Sequence, residues 1–234
     1  NYAHWSTTQA VGATVPVLEN GRQYSVHFKS SDTAGNFTVQ YSTFVWDTGR
    51  PISVTTVPAN GGYISSSAWA ANGIAGTASD PSYGDYTDHG VKSCIDNVYL
   101  GFRRLSDGGW WRKNFTDFQN VSNPFDMPTV VTGSCTANAS WVYSLALDYS
   151  KLTSGTSYYI VARASDASGL VELDFSGGTS TFTYDSAKGT AAISLPYLPY
   201  HNSLATINGI SADEVLMERV EISIQDLSYP STYW

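Results

Sequence analysis

The chain has 234 residues, of which 42% are hydrophobic and 14% charged, and its formal net charge is −8 at pH 7. Its 12 lysines and arginines are too few to neutralise a row of phosphates, which argues against nucleic acids and anionic membrane surfaces as partners. Aromatic residues form 14% of the chain, a content typical of folded proteins. No apolar run reaches the roughly 18 residues of a membrane-spanning helix, so no membrane span is expected in this segment.

The hydrophobic pattern predicts an all-β chain. Short runs rich in Val, Ile, Thr, Tyr and Phe are separated by Gly, Asn, Asp and Ser clusters, and amphipathic helical periodicity is absent. Apolar residues alternate with polar ones at 24–28 and again at 98–102. Because alternation is typical of strands with one buried face, we expect two packed antiparallel sheets.

The sequence repeats itself along the chain. Residues 18–35 align without a gap on residues 152–169, at an offset of 134 (152 minus 18), and residues 44–47 correspond to residues 182–185. Other stretches repeat at different offsets: residues 74–80 match 207–213, and Val98, Leu100 and Phe102 match Val220, Ile222 and Ile224. Self-similarity of this kind predicts a repeat architecture.

The matches divide the chain into three parts. Residues 1–47 are predicted to be the C-terminal half of one repeat, residues 48–185 a complete repeat, and residues 186–234 the N-terminal half of the next. A half-domain leaves open sheet edges and an uncovered apolar face. We therefore expect neighbouring repeats to complete each half, either in a tandem array of the same chain or in a head-to-tail polymer of adjacent chains.

The order of several motifs resembles the immunoglobulin-like repeats that are strung together in very large bacterial surface and adhesin-like proteins. These motifs are residues 74–80, 98–103, 107–111 and 158–166, followed by Tyr184 and Asp185. The resemblance covers essentially the whole chain. It implies tandem β-sandwiches with a structural or adhesive role at the cell surface or in a secreted filament, and it brings no catalytic residues.

Several residues at shared positions have predicted structural roles. Asp32 and Asp166 each precede a glycine by three residues, and Asp80 follows Gly76, so these acids are expected to hold turns. Leu170 stands where the first repeat has Asn36, so the two turns are expected to differ in type. The tryptophans at 111, 141 and 234 are expected to fill the space between the sheets and not to line a sugar site.

The complete repeat carries an acidic, tyrosine-rich insertion at residues 81–93. Function is commonly placed in loops added to a rigid scaffold, and Asp80, Asp85 and Asp88 are candidate calcium ligands because calcium takes six to eight oxygens. The alternative is a polar surface loop that binds nothing. Apart from calcium, no cofactor is expected.

The chain has two cysteines, Cys94 at the end of the insertion and Cys135 in a polar stretch. In an acidic, lysine-poor chain an even number of cysteines favours an oxidising exterior and a disulfide between them. The alternative is a pair of buried free thiols.

Few features of the sequence point to catalysis, and the chain is predicted not to be an enzyme. Common hydrolase and phosphate-binding motifs are absent, and the acid pair Asp117 and Asp126 is explained by surface solvation. A surface glycan or a protein receptor remains a candidate partner. The alternative function is a carbohydrate-binding or accessory β-module of a secreted hydrolase.

Overall fold

The computed structural model describes residues 17–68, 73–80, 93–112, 117–133, 138–143 and 149–229. Fourteen β-strands and a short 3₁₀ helix, Tyr149–Lys151, are assigned within these ranges, and residues 66–68 are helical as well. The strands are β1 Arg22–Ser31, β2 Phe37–Trp46, β3 Ile52–Val57, β4 Gly62–Ile64, β5 Ile74–Ser79, β6 Ile95–Arg104, β7 Trp110–Trp111, β8 Met127–Pro128, β9 Val130–Thr132, β10 Ala139–Tyr143, β11 Thr156–Asp166, β12 Thr179–Tyr184, β13 Thr190–Leu195 and β14 Asn208–Ala212. The predicted all-β class is confirmed.

Strands β3 to β12 form a sandwich of two sheets. One sheet has the order β3-β5-β10-β9, and the other has the order β4-β12-β11-β6-β7, with β8 paired to β6. Neighbouring strands are antiparallel, except that β4 runs parallel to β12. Side chains alternate between the core and the outer face, as in β5, where Ile74, Gly76 and Ala78 are buried and the residues between them are half-buried.

Aromatic side chains fill the space between the two sheets. The ring of Phe102 lies 5.5 Å from Tyr158 and 5.3 Å from Phe118 between centroids. Trp141 is buried, and its indole N–H donates to the carbonyl of Thr77 at 2.9 Å. Trp111 is buried as well, so the predicted core positions of these two tryptophans are confirmed, and Trp234 lies outside the described residues.

One buried carboxylate links the sheets. Glu172 accepts hydrogen bonds from the Ser53 backbone N–H at 2.9 Å and the Ser53 hydroxyl at 2.6 Å on β3, and from the Ala164 N–H at 2.9 Å on β11. Burial raises the pKa of Glu172, and these hydrogen bonds oppose the shift. The group therefore joins two strands that belong to different sheets.

The hairpin β1-β2 has the same local structure as β11-β12. Tyr24 pairs with Phe44 and Tyr158 pairs with Phe182 in the two registers. The Tyr24 hydroxyl accepts from the backbone N–H of Glu19 at 2.7 Å, just as the Tyr158 hydroxyl accepts from that of Thr153 at 2.8 Å. The two aligned segments therefore share strand position, register and hydrogen bonds.

The turns that follow these strands are also alike, and the expectation that they differ in type is wrong. The Asn36 N–H donates to Asp32 Oδ1 at 2.8 Å, and the Leu170 N–H donates to Asp166 Oδ1 at 2.9 Å. The backbone of each turn makes the same bonds, and the first turn has one more, from the Asn36 side-chain amide to Asp32 Oδ2 at 2.8 Å. Both acids hold turns, as predicted.

The pair β13-β14 repeats the register of β3-β5. Residue 52 pairs with residue 79 and residue 190 with residue 212, and both ladders shift by one residue near their ends. Gly76 and Gly209 occupy matching positions, where an added Cβ would overlap the carbonyl oxygen of Val54 or Ala192 respectively. The close approach of the paired strand thus explains a glycine at both places.

Replacing Gly76 with alanine is expected to lower the free energy of unfolding by about 1–3 kcal/mol, because the new methyl group would overlap both the Val54 carbonyl and the Trp141 ring. Urea denaturation of the purified chain measures this loss. Gly177→Ala is the control, since its Cβ would meet only the Ser53 carbonyl oxygen at 4.0 Å. Equal stability of the two variants would contradict the close packing at Gly76.

Candidate metal centre

Three aspartates from separate parts of the chain meet at one end of the sandwich. Asp47 directly follows β2, Asp80 directly follows β5, and Asp166 is the last residue of β11. Each offers a carboxylate oxygen, and these three atoms lie within 4.8 Å of one another. Asp80 and Asp166 are buried and Asp47 is half-buried.

Strand pairing brings the three residues together. Ile52, the first residue of β3, pairs with Ser79, so the chain enters the sandwich beside Asp80. Asp47 lies five residues before Ile52 on this entering segment. Strand β11 faces β3 across the core, and its last residue reaches the same end of the sandwich.

The carboxylates at 47 and 166 each use one oxygen to close a turn. Asp47 Oδ1 accepts from the Gly49 N–H at 2.8 Å. Asp166 Oδ1 accepts from the Leu170 N–H at 2.9 Å and from the Ser168 hydroxyl at 2.7 Å. The turns orient both side chains and leave their second oxygens for another ligand.

Each of the three residues has a buried carboxylate oxygen without a hydrogen-bond partner: Oδ2 of Asp47, Oδ1 of Asp80 and Oδ2 of Asp166. Only 5% of Asp80 and 2% of Asp166 are exposed to solvent. A buried polar atom without a partner is costly, and a buried charge more so. The group therefore lacks a positive partner among the described residues.

The raised pKa of Asp80 agrees with the lack of a positive partner. The pKa of Asp80 is raised from 3.8 to about 7, first by burial and then by the charges of Asp47 and Asp166. A proton or a cation relieves this repulsion. Three carboxylates without nitrogen or sulfur ligands suit a hard divalent cation such as calcium or magnesium.

The structure describes one of the three predicted calcium ligands. Asp80 belongs to the cluster, whereas Asp85 and Asp88 lie outside the described residues. Asp47 and Asp166 were missed, because turn formation accounted for Asp166 and nothing singled out Asp47. One signal was present in the sequence, since all three aspartates have counterparts in the internal alignment of the sequence: Asp185, Asp213 and Asp32.

Of the two cysteines, Cys94 is disulfide-bonded. It lies just before β6, and its backbone carbonyl accepts a hydrogen bond from the Ala167 N–H at 2.8 Å. Cys135 lies outside the described residues, so its pairing with Cys94 stays a prediction. The bond at Cys94 is next to the turn that holds Asp166.

In metal-free buffer at pH 8, Asp80→Asn is expected to melt about 2–4 °C above the unchanged chain, because the variant removes a buried charge that lies beside two other carboxylates. Thermal unfolding followed by circular dichroism in the presence of a chelator measures the difference. Asp96→Asn is the control, since Asp96 is exposed. A variant at Asp80 that melts lower than the unchanged chain would contradict the repulsion.

The sequence matches no protein-family model and has no significant match among curated proteins. In the part of the chain that the structure describes, no helix has the length and hydropathy of a membrane span. The properties of the candidate centre therefore follow from the geometry of this chain.

Proposed function

We propose that this chain is a non-enzymatic structural or adhesive segment of an extracellular surface protein or filament, built from tandem immunoglobulin-like sandwiches. The observation that carries the proposal is the shared local structure: β1-β2 reproduces β11-β12, and β13-β14 reproduces β3-β5, in register and in backbone bonding. Recurrence of one unit along a chain is the basis of stalks and fibres, which transmit load and display binding surfaces.

The strand order supports the immunoglobulin-like part of the proposal. In such domains strands A, B, E and D form one sheet, and strands C, F and G form the other. The order β3-β5-β10-β9 corresponds to A-B-E-D, and β12-β11-β6 corresponds to G-F-C. The bond from the Thr153 N–H to the Tyr158 hydroxyl is similar to the tyrosine corner near the start of strand F.

Exposed apolar residues before and after the central sandwich, in the outer parts 17–47 and 186–229 of the chain, support the tandem arrangement. Val26 of β1 is 53% exposed, whereas its counterpart Ile160 is fully buried. Ile222 is 64% exposed, whereas its counterpart Leu100 is fully buried. Each outer part therefore presents a face that another element covers in the central sandwich, and neighbouring repeats of the same or an adjacent chain are the proposed partners.

The geometry of the central unit suits a load-bearing role. The chain enters beside β3 and leaves after β12, and the short strand β4 runs parallel to β12. Around this pair the Gly61 N–H donates to the Thr181 carbonyl at 2.6 Å and the Asp185 N–H to the Ile64 carbonyl at 2.9 Å. Pulling the two ends apart loads these bonds together along the strand direction, so they resist as a group.

Acidic residues that would be candidates for catalysis have structural partners instead. Arg104 contacts Asp117 at 3.4 Å, and Arg112 contacts Asp126 at 2.5 Å. A glycosidase pair needs two carboxyl groups that face each other across a cleft. These ion pairs favour the structural function over the hydrolase alternative.

Mechanical unfolding tests the proposed function. When the chain is stretched between its two ends under reducing conditions, residues 48–185 are expected to unfold in one discrete event. Extension at about 3.3–3.6 Å per residue releases about 450–500 Å of chain, less the end-to-end distance of the folded unit. Single-molecule force spectroscopy measures the step, and gradual extension at low force would argue against a load-bearing unit.

The same measurement tests the predicted disulfide. Without reductant, a bond between Cys94 and Cys135 would keep the 41 residue steps between them (135 minus 94) from extending, so the step is expected to be about 140 Å shorter. Cys135→Ser is the matched variant and should give the long step under both conditions. An unchanged step length in the unmodified chain would refute this pairing.

A further inference from the structure

We propose that two copies of this chain join head to tail, with β1 of one copy pairing antiparallel to residues 217–226 of the next, here called the trailing segment. The inference rests on the repeat architecture proposed above and adds to it the partner, the register of the contact and the charges that select it. Its failure would leave the mechanical role of the central sandwich standing, because that role depends on residues 48–185 alone.

The central sandwich shows what covers a hairpin of this kind. Strand β11, the counterpart of β1, pairs on one side with β12 and on the other with β6, whereas β1 pairs with β2 in a two-stranded sheet. Within the described residues, the outer edge of β1 therefore has no neighbouring strand. The counterpart of β6 is the trailing segment, because the buried residues of β6 match its three apolar residues, Val220, Ile222 and Ile224.

The trailing segment presents the side chains that this pairing would bury. Its three apolar residues are each about half exposed or more, at 57% for Val220, 64% for Ile222 and 49% for Ile224. Val220 and Ile222 line an open cleft together with residues of β13 and β14. In the central sandwich, side chains of β11 belong to the same core cluster as those of β5 and β6. A strand equivalent to β11 is thus what this cleft lacks.

The two outer parts extend from opposite ends of the sandwich, which assigns the covering strand to a second copy. The hairpin β1-β2 joins at the end of β11, where Asp47 lies beside Asp166. The part that follows β12 contacts the start of β11, where a Cβ added to Gly155 would lie 3.1 Å from the Glu214 carboxylate. The 11 residues of β11 separate these points by roughly 35 Å. Unlike surfaces at opposite ends join copies in an open series.

The counterparts also give the register, and the register pairs opposite charges. Arg163 pairs with Tyr99 in the sandwich. Their counterparts are Lys29 (163 minus 134) and Glu221 (99 plus 122), which would therefore stand directly opposite each other. Both are exposed. Opposite charges across a ladder stabilise strand pairing, and like charges destabilise it. The charges therefore favour the contact between β1 and the trailing segment.

The same register joins apolar side chains of compensating size. In the sandwich, β11 and β6 contribute two apolar pairs, Ile160 with Phe102 and Ala162 with Leu100. In the proposed contact these become Val26 with Ile224 and Phe28 with Ile222. The aromatic ring is lost on one strand and gained on the other, so the apolar volume is nearly kept. Exchanges of this kind are the ones that packed cores tolerate best.

Sedimentation velocity over a concentration series tests the contact, and the unchanged chain is expected to form oligomers larger than dimers. Lys29→Glu and Glu221→Lys should each raise the dissociation constant about five- to tenfold. An equimolar mixture of the two variants should recover the unchanged value, because every contact between unlike copies again joins opposite charges. Lys151→Glu is the matched control, since it makes the same charge change at an exposed site of the sandwich.

Three results would overturn the inference. The first is a chain that stays monomeric at every concentration. The second is an equal weakening by Lys151→Glu and Lys29→Glu, which would reduce the effect to net charge. The third is a mixture that associates no more tightly than the separate variants, because pairing within one copy or in another register cannot be rescued by mixing.

A second pair of variants tests the apolar face. Val26→Asp is expected to abolish association, because Val26 would be buried in the contact. Tyr41→Asp should keep it, since Tyr41 lies on the opposite face of the same hairpin and is 74% exposed. Association that survives in the Val26 variant would refute the pairing of β1. A monomeric chain whose residues 48–185 still unfold in one step under force would refute the contact and leave the structural function standing.

Discussion

The face-to-face packing of two sheets over one aromatic core is the constraint on which the other features of this chain depend. Phe102, Tyr158 and Phe182 come from neighbouring strands of one sheet, and Trp141 fills the space from the other sheet. These rings hold the two sheets face to face, and strand pairing brings the ends of β5 and β11 to the same end of the sandwich. The meeting of Asp80 and Asp166 is a direct consequence.

This arrangement carries an energetic conflict at one end of the sandwich. Burial stabilises the core but removes water from the carboxylates at Asp80 and Asp166, and the half-buried Asp47 adds a third charge beside them. Such a group raises the cost of the folded state unless a proton or a cation accompanies it. The turn bonds that hold Asp47 and Asp166 show that the side chains are positioned, so the conflict belongs to an ordered site.

The outer parts of the chain show how strongly strand structure depends on local sequence. The hairpin β1-β2 has the turn bonds and register of β11-β12, although Val26 is exposed where Ile160 is buried. The register and the turn bonds of the two hairpins are therefore the same although the burial of their apolar faces differs. The uncovered apolar face is what a neighbouring unit would bury, and apolar burial is the main favourable term in such contacts.

The sequence by itself determined the β class, the buried positions at 98–102, the core tryptophans at 111 and 141, and the turns at Asp32 and Asp166, because each depends on residues close together along the chain. The internal alignment of the sequence also matched the two hairpins. It predicted that their turns differ in type at Leu170, but the backbone hydrogen bonds of the two turns are the same. Only the tertiary structure decided that Asp47, Asp80 and Asp166 share one site, because they come from the ends of three strands far apart in sequence. Proximity of that kind follows from sheet register and packing, which local sequence patterns do not encode.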